Sequence, residues 1–131
     1  MVLPGIQALF GFQLIAVFSQ GFAPLDANLK FLHLAATVLT SVSIALVMTP
    51  AAYHRQVSPM SVNESFVRKS SRFLLASMFP LAASLCIELY LVARIVWKSD
   101  WMVALAAAVL LLFLLLWVVL PRAHRRKGYR R

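Results

Sequence analysis

The sequence from Trp101 to Leu120 is WMVALAAAVLLLFLLLWVVL, a run of twenty apolar residues without a charge. A helix rises about 1.5 Å per residue, so a run of this length matches a bilayer hydrocarbon core of about 30 Å. The chain then becomes basic in the segment Pro121–Lys127, PRAHRRK. Lys and Arg beside a span are retained in the cytoplasm. The stretch therefore predicts a transmembrane helix whose carboxyl end is cytoplasmic.

Composition supports a small membrane protein with one domain over residues 1–131. The chain is 62% hydrophobic and only 13% charged, which is more apolar than an ordinary soluble domain. Its net charge of +9 comes from cations near the ends of the apolar segments, so nucleic-acid binding is not expected. The single cysteine, Cys86, excludes an internal disulfide and gives no support for a metal site. We expect no cofactor.

Four apolar stretches are long enough to cross a bilayer as helices. They are Leu3–Phe22, Phe31–Thr49, Phe73–Trp97 and Trp101–Leu120. The first contains three glutamines and three glycines, so an interfacial or re-entrant segment is its alternative. The short connections Ala23–Lys30 and Lys98–Asp100 require neighbouring helices to be antiparallel. The predicted fold class is an all-α membrane protein with four transmembrane helices in two antiparallel hairpins.

The basic residues predict the orientation. Ten of the thirteen Lys and Arg lie in the middle connection, Pro50–Arg72, or in the tail, residues 121–131. Because cytoplasmic segments carry the excess of positive charge, both termini and the middle connection are expected in the cytoplasm.

The middle connection contains two helix signals. In TPAAYHR, residues 49–55, Thr49 is suited to end or cap a helix and Pro50 to the first position of a new turn. Ser61–Glu64, SVNE, matches a capping box, which predicts a helix that starts near Val62 and runs into the third span.

Basic side chains next to the spans suggest a lipid or partner surface. The candidates are His54, Arg55, Arg125, Arg126 and Lys127. Each basic residue near a membrane surface attracts anionic phospholipid by about 1 kcal/mol. An anchoring role that only fixes the topology is the alternative.

Glu88 is the acid that lies well inside a predicted span. A carboxylate in hydrocarbon costs several kcal/mol unless it is paired, hydrated or protonated, so such residues indicate a functional site. At 100° per residue, Ser77, Pro80, Ser84 and Glu88 share one face of the third helix. This stripe of small and polar residues leads to the glutamate.

Gln20 and His33 are predicted at about the same depth as Glu88, counted along the helices at about 1.5 Å per residue. The hypothesis is an ion-binding or proton-binding layer formed by Glu88, Gln20 and His33. The alternatives are a hydrogen-bonded cluster that holds the helices together, or a Glu88 neutralised by Arg94. The three histidines are predicted at different depths, so they do not form a haem or other metal site. No nucleophile is placed beside a base, and we expect no enzymatic activity.

Two stretches carry a resemblance to a known family: GIQALFGFQL, residues 5–14, and TPAAYHR, residues 49–55. Together with the Arg72–Arg94 segment they resemble a family of small bacterial four-helix membrane proteins of unknown function. Some of its members carry an automatically assigned sodium/proton antiporter label. The resemblance implies a multi-pass protein of the bacterial cytoplasmic (inner) membrane.

Two functions follow as hypotheses. The first is ion or proton translocation through an oligomer that uses an intramembrane carboxylate, because 131 residues are too few to enclose a pathway alone. The alternative is a non-catalytic accessory or structural subunit of a larger membrane complex. The expected partners are the lipid bilayer with its anionic phospholipids, and either further copies of the chain or a larger membrane complex.

Overall fold

The computed structural model describes residues 2–57, 64–119 and 121–122. The helices are α1 (Val2–Ala16), α2 (Ala27–Val57), α3 (Glu64–Trp97) and α4 (Val103–Leu114). A short 3-10 turn, Asp100–Met102, precedes α4, and a π-helical turn, Leu115–Val119, extends it. The described residues contain no strand, which confirms the all-α prediction with four helices.

Among the described residues, three helical segments are long and apolar enough to cross a membrane: Ala27–Gln56, Glu64–Trp97 and Asp100–Val119. The first helix, α1, has 15 residues and is only about 22 Å long, which is less than the hydrocarbon thickness. It ends at Ala16, six residues before the predicted limit at Phe22. A membrane crossing by this segment therefore stays a prediction.

The segment after α1 consists of tight turns. Backbone hydrogen bonds join Phe18 N to Ile15 O at 3.0 Å and Phe22 N to Ser19 O at 3.1 Å. The sequence SQGFAP, residues 19–24, contains a glycine and a proline, which disfavour a continuing helix despite the apolar composition around them.

Helix α2 does not end at Thr49, as the sequence suggested, but continues through Pro50 to Val57. The Thr49 hydroxyl donates to Ala45 O at 2.7 Å, one turn earlier, and so does not cap a new helix. The proline removes one main-chain donor, but the helical turns on both sides of it remain. The prediction of a helix end at this proline was wrong.

Helix α3 begins at Glu64 and runs without interruption to Trp97. This agrees with a helix that starts near Val62 and enters the third span, although Ser61–Asn63 lie outside the described residues. The predicted connection Pro50–Arg72 is therefore mostly helical. At about 1.5 Å per residue, α2 and α3 are about 46 and 51 Å long, so each exceeds the hydrocarbon core by at least 15 Å.

The chain divides into two compact units, Met1–Leu85 and Cys86–Arg131, with the boundary inside α3. In the first unit α1 packs against α2, and the most buried side chains are small: Ala36, Thr40, Ser43 and Ser84 are fully buried. In the second unit Leu91, Ala93 and Met102 are buried.

Helix α3 ends in the second unit, and the residue after it has a left-handed backbone conformation. Lys98 has a φ of 50°, and its amide donates to Arg94 O at 2.9 Å. This is the geometry of a helix C-cap that usually employs glycine. The Arg94 guanidinium forms an ion pair with Asp100 in the following 3-10 turn.

Candidate functional site

The centre of the first unit contains a hydrogen-bonded cluster that joins three helices. We call it the polar seam and define it as Gln13 of α1, Ala36 and Thr40 of α2, and Ser84 of α3. Gln13 Nε2 donates to Ser84 Oγ at 3.0 Å. The Ser84 hydroxyl lies 2.8 Å from Ala36 O and 2.7 Å from Thr40 Oγ1.

The two hydroxyls of the polar seam share one main-chain acceptor. Thr40 Oγ1 also reaches Ala36 O, at 3.1 Å, so either hydroxyl can donate to the other while one of them donates to the carbonyl. Ala36, Thr40 and Ser84 are fully buried and Gln13 is 4% exposed. Small side chains let the helix backbones approach closely, and interhelical hydrogen bonds then fix them in place. These buried hydrogen bonds hold α1, α2 and α3 together.

His33 is buried and lies beside the polar seam. Its Nε2 is 2.9 Å from Gln13 O, and because a carbonyl can only accept, Nε2 must carry a hydrogen. Gln13 lies in the last turn of α1, where groups from outside the helix often bond to the main-chain carbonyls. His33 therefore caps α1. Its ring also packs edge-on against the ring of Phe22, with 5.2 Å between the ring centroids.

A second contact joins α2 and α3 further along the two helices. The Ser43 hydroxyl donates to the main-chain oxygen of Ser77 at 2.8 Å. The Ser77 hydroxyl itself donates to Leu74 O at 2.7 Å, within its own helix. Pro80 lies in α3 between Ser77 and Ser84 and is half-buried. The two serines of the predicted stripe thus both have partners in the helix packing.

The three residues of the hypothesised ion-binding layer have different environments. Gln20 is exposed in the turns after α1, because the helix ends before it. His33 is buried as the cap of α1. Glu88 is half-buried in the membrane-length part of α3, in the second unit. A joint role for these three residues stays a prediction.

The candidate lipid-binding residues are only partly described. His54 is half-buried with its ring 4.8 Å from the ring of Phe66, and Arg55 is exposed. The other candidates, Arg125, Arg126 and Lys127, lie outside the described residues. Over the described parts of the chain, no three His, Cys, Asp or Glu side chains are grouped so as to hold a metal ion.

Comparison with known proteins places the chain in a family. A family model described as "Family of unknown function (DUF6328)" matches residues 1–121. The chain belongs to this family. The DUF6328 match includes all four helices and confirms that the chain is a member of an uncharacterised family. No curated protein and no solved structure matches the chain.

Proposed function

We propose that the protein is a non-enzymatic, multi-pass membrane protein that serves as an accessory or structural subunit of a larger membrane assembly. The polar seam is the observation that carries this proposal. Its polar groups make hydrogen bonds between helices, with distances from 2.7 to 3.0 Å, and its small residues are fully buried. Groups used in this way stabilise a helix arrangement, whereas a conduction path needs polar groups that face water.

The outer surface supports a location among lipids and apolar partners. Large apolar side chains are exposed on the helices, including Phe12 (72%), Phe31 (69%) and Trp101 (70%). Water would disfavour so much apolar surface, and lipid tails or apolar faces of other membrane helices would cover it. Helix α1 is shorter than the bilayer core, so the unpaired main-chain groups at its ends are stabilised by contact with neighbouring protein.

The same proposal includes the orientation and the membrane. Both termini and the connection between α2 and α3 lie in the cytoplasm of a bacterium, and the protein spans the inner membrane. The support is the clustering of ten cations in residues 50–72 and 121–131. The basic tail and Arg55 contact anionic phospholipid at that surface.

The accessory function is tested by the state of the full-length chain in a mild detergent that retains lipid. By native mass spectrometry, we expect a complex with another membrane protein in fixed stoichiometry. Among the described residues, a Cβ added at Gly11 meets no atom within 4 Å, so Gly11→Ala leaves the packing of the chain intact. If a partner covers this face of α1, the same change weakens the complex. A wild-type chain that is monomeric and without a partner contradicts the proposal.

Proton or cation translocation is a second candidate, favoured by the half-buried Glu88 in a helix of membrane length. An intramembrane carboxylate can bind and release a proton when water reaches it. In liposomes, the translocating function requires that wild-type protein dissipates an imposed proton or sodium gradient and that Glu88→Gln does not. If neither protein moves ions, or both do so equally, the translocation candidate fails and the accessory function remains.

A further inference from the structure

A cleft separates the end of α2 from the beginning of α3 in the first unit. Its volume is about 180 Å³. It is lined by Thr49, Pro50, Tyr53, Phe66, Lys69, Ser70 and Phe73. The continuation of α2 through Pro50 and the start of α3 at Glu64 create this cleft, since its walls come from the last turns of α2 and the first turns of α3.

Most of the cleft wall is apolar. Pro50, Phe66 and Phe73 present rings, and the ring of Tyr53 adds a fourth surface. An apolar cavity of about 150 Å³ is enough to hold benzene, so this cleft can accommodate several methylene groups. An aliphatic chain is the chemistry that fits such a wall.

The polar groups of the cleft are cationic or hydroxylic. Lys69 is exposed at its edge, and Ser70 Oγ is buried without a hydrogen-bond partner among the described residues. Around them, residues 49–73 contain four cations and one acid, Glu64. An ammonium with three donors and an adjacent hydroxyl is suited to a phosphate oxygen.

The cleft also lies at a suitable height. Pro50 is about 35 Å along α2 from Ala27, which exceeds the hydrocarbon thickness of about 30 Å. Tyrosine is enriched where the hydrocarbon meets the headgroups, and Tyr53 lies one turn further along α2. A lipid at this boundary presents its phosphate and the first methylenes of its chains at the same level.

We propose that this cleft binds one anionic glycerophospholipid. Its phosphate contacts the Lys69 ammonium and the Ser70 hydroxyl, and one acyl chain lies against Pro50, Phe66 and Phe73. The ester carbonyl and phosphodiester oxygens of the lipid accept hydrogen bonds that the protein donates. Binding therefore involves no covalent step. This proposal rests on the membrane location of the chain and not on its role as an accessory subunit.

The test is native mass spectrometry of the full-length protein in non-ionic detergent, titrated with defined lipids. We expect phosphatidylglycerol to bind at one saturable site and phosphatidylcholine with the same acyl chains to bind at least fivefold more weakly. Glycerol phosphate, which lacks the chains, should not displace the lipid. The variant Lys69→Gln should lower phosphatidylglycerol affinity about fivefold, which corresponds to the loss of about 1 kcal/mol. Lys98→Gln removes the same charge from the other end of α3 and should leave the affinity unchanged.

A second variant tests whether the lipid needs the open volume and the hydroxyl of the cleft. Ser70→Leu places a larger side chain in the cleft and should lower binding of phosphatidylglycerol at least as much as Lys69→Gln does. Lys69 is exposed, so its replacement leaves the fold intact, and thermal unfolding of both variants checks this. Equal binding of the two lipids, displacement by glycerol phosphate, or equal effects of Lys69→Gln and Lys98→Gln would each overturn the proposal.

Discussion

Replacement of Ser84 by alanine should destabilise the protein far more than replacement of another buried serine in the same helix. The Ser84 hydroxyl takes part in three contacts of the polar seam, at 2.7, 2.8 and 3.0 Å. Interhelical hydrogen bonds in membrane proteins contribute about 0.6 kcal/mol on average. Three such contacts give a loss of about 2 kcal/mol in the free energy of unfolding.

The matched controls are Ser77→Ala and Ser43→Ala. Ser77 is also buried in α3, but its hydroxyl donates only to Leu74 within the helix, so its loss should change the free energy of unfolding by less than about 0.5 kcal/mol. Ser43 makes one interhelical hydrogen bond, to Ser77 O. The loss of stability in Ser43→Ala should therefore lie between the losses in the other two variants. The gain in helix propensity on changing serine to alanine is common to all three variants.

The assay is reversible unfolding of the full-length chain in mixed micelles, with denaturing detergent as the variable and helix content as the signal. The three variants should rank Ser84→Ala, Ser43→Ala and Ser77→Ala from the largest loss to the smallest. If Ser77→Ala costs as much as Ser84→Ala, burial and not the polar seam determines the stability, and our account of the seam is wrong.

Three further predictions concern the helix ends and the topology. Lys98→Gly should raise the free energy of unfolding by up to about 1 kcal/mol, because glycine adopts the left-handed φ of 50° without strain; a loss of stability would contradict this. His33→Leu should speed hydrogen exchange at the end of α1 and cost about 1 kcal/mol through the lost bond to Gln13 O; unchanged exchange would remove its capping role. With the native cysteine replaced by alanine, Ala27→Cys should react with an impermeant thiol reagent on intact cells and Ser61→Cys should not. The reverse pattern would invert the proposed orientation.

The number and type of the helices could be predicted from the sequence because both depend on local apolar length. The helix ends could not be placed equally well. α1 stops at Ala16 although the composition stays apolar beyond it, and α2 continues through Pro50 because one missing main-chain bond does not end a long helix.

The candidate site was predictable only within single helices. The helical period placed Ser77 and Ser84 on one face, and both serines have partners in the packing. The pairing of Ser84 with Gln13 and Thr40 depends on the rotation and height of one helix against another, which composition does not determine. The cap formed by His33 follows from where α1 ends, so an error in that boundary concealed its role.

The most direct test of the central claim is the access of water to the polar seam. Maleimide reacts with an ionised thiol, which requires water, so a cysteine at a dry position stays unmodified. In a Cys86→Ala background, Ser84→Cys should remain unmodified by a membrane-permeant maleimide while Arg55→Cys, exposed on α2, reacts to completion. If Ser84→Cys in folded protein reacts as fast as Arg55→Cys, water reaches the seam, and these residues line a path instead of holding the helices together.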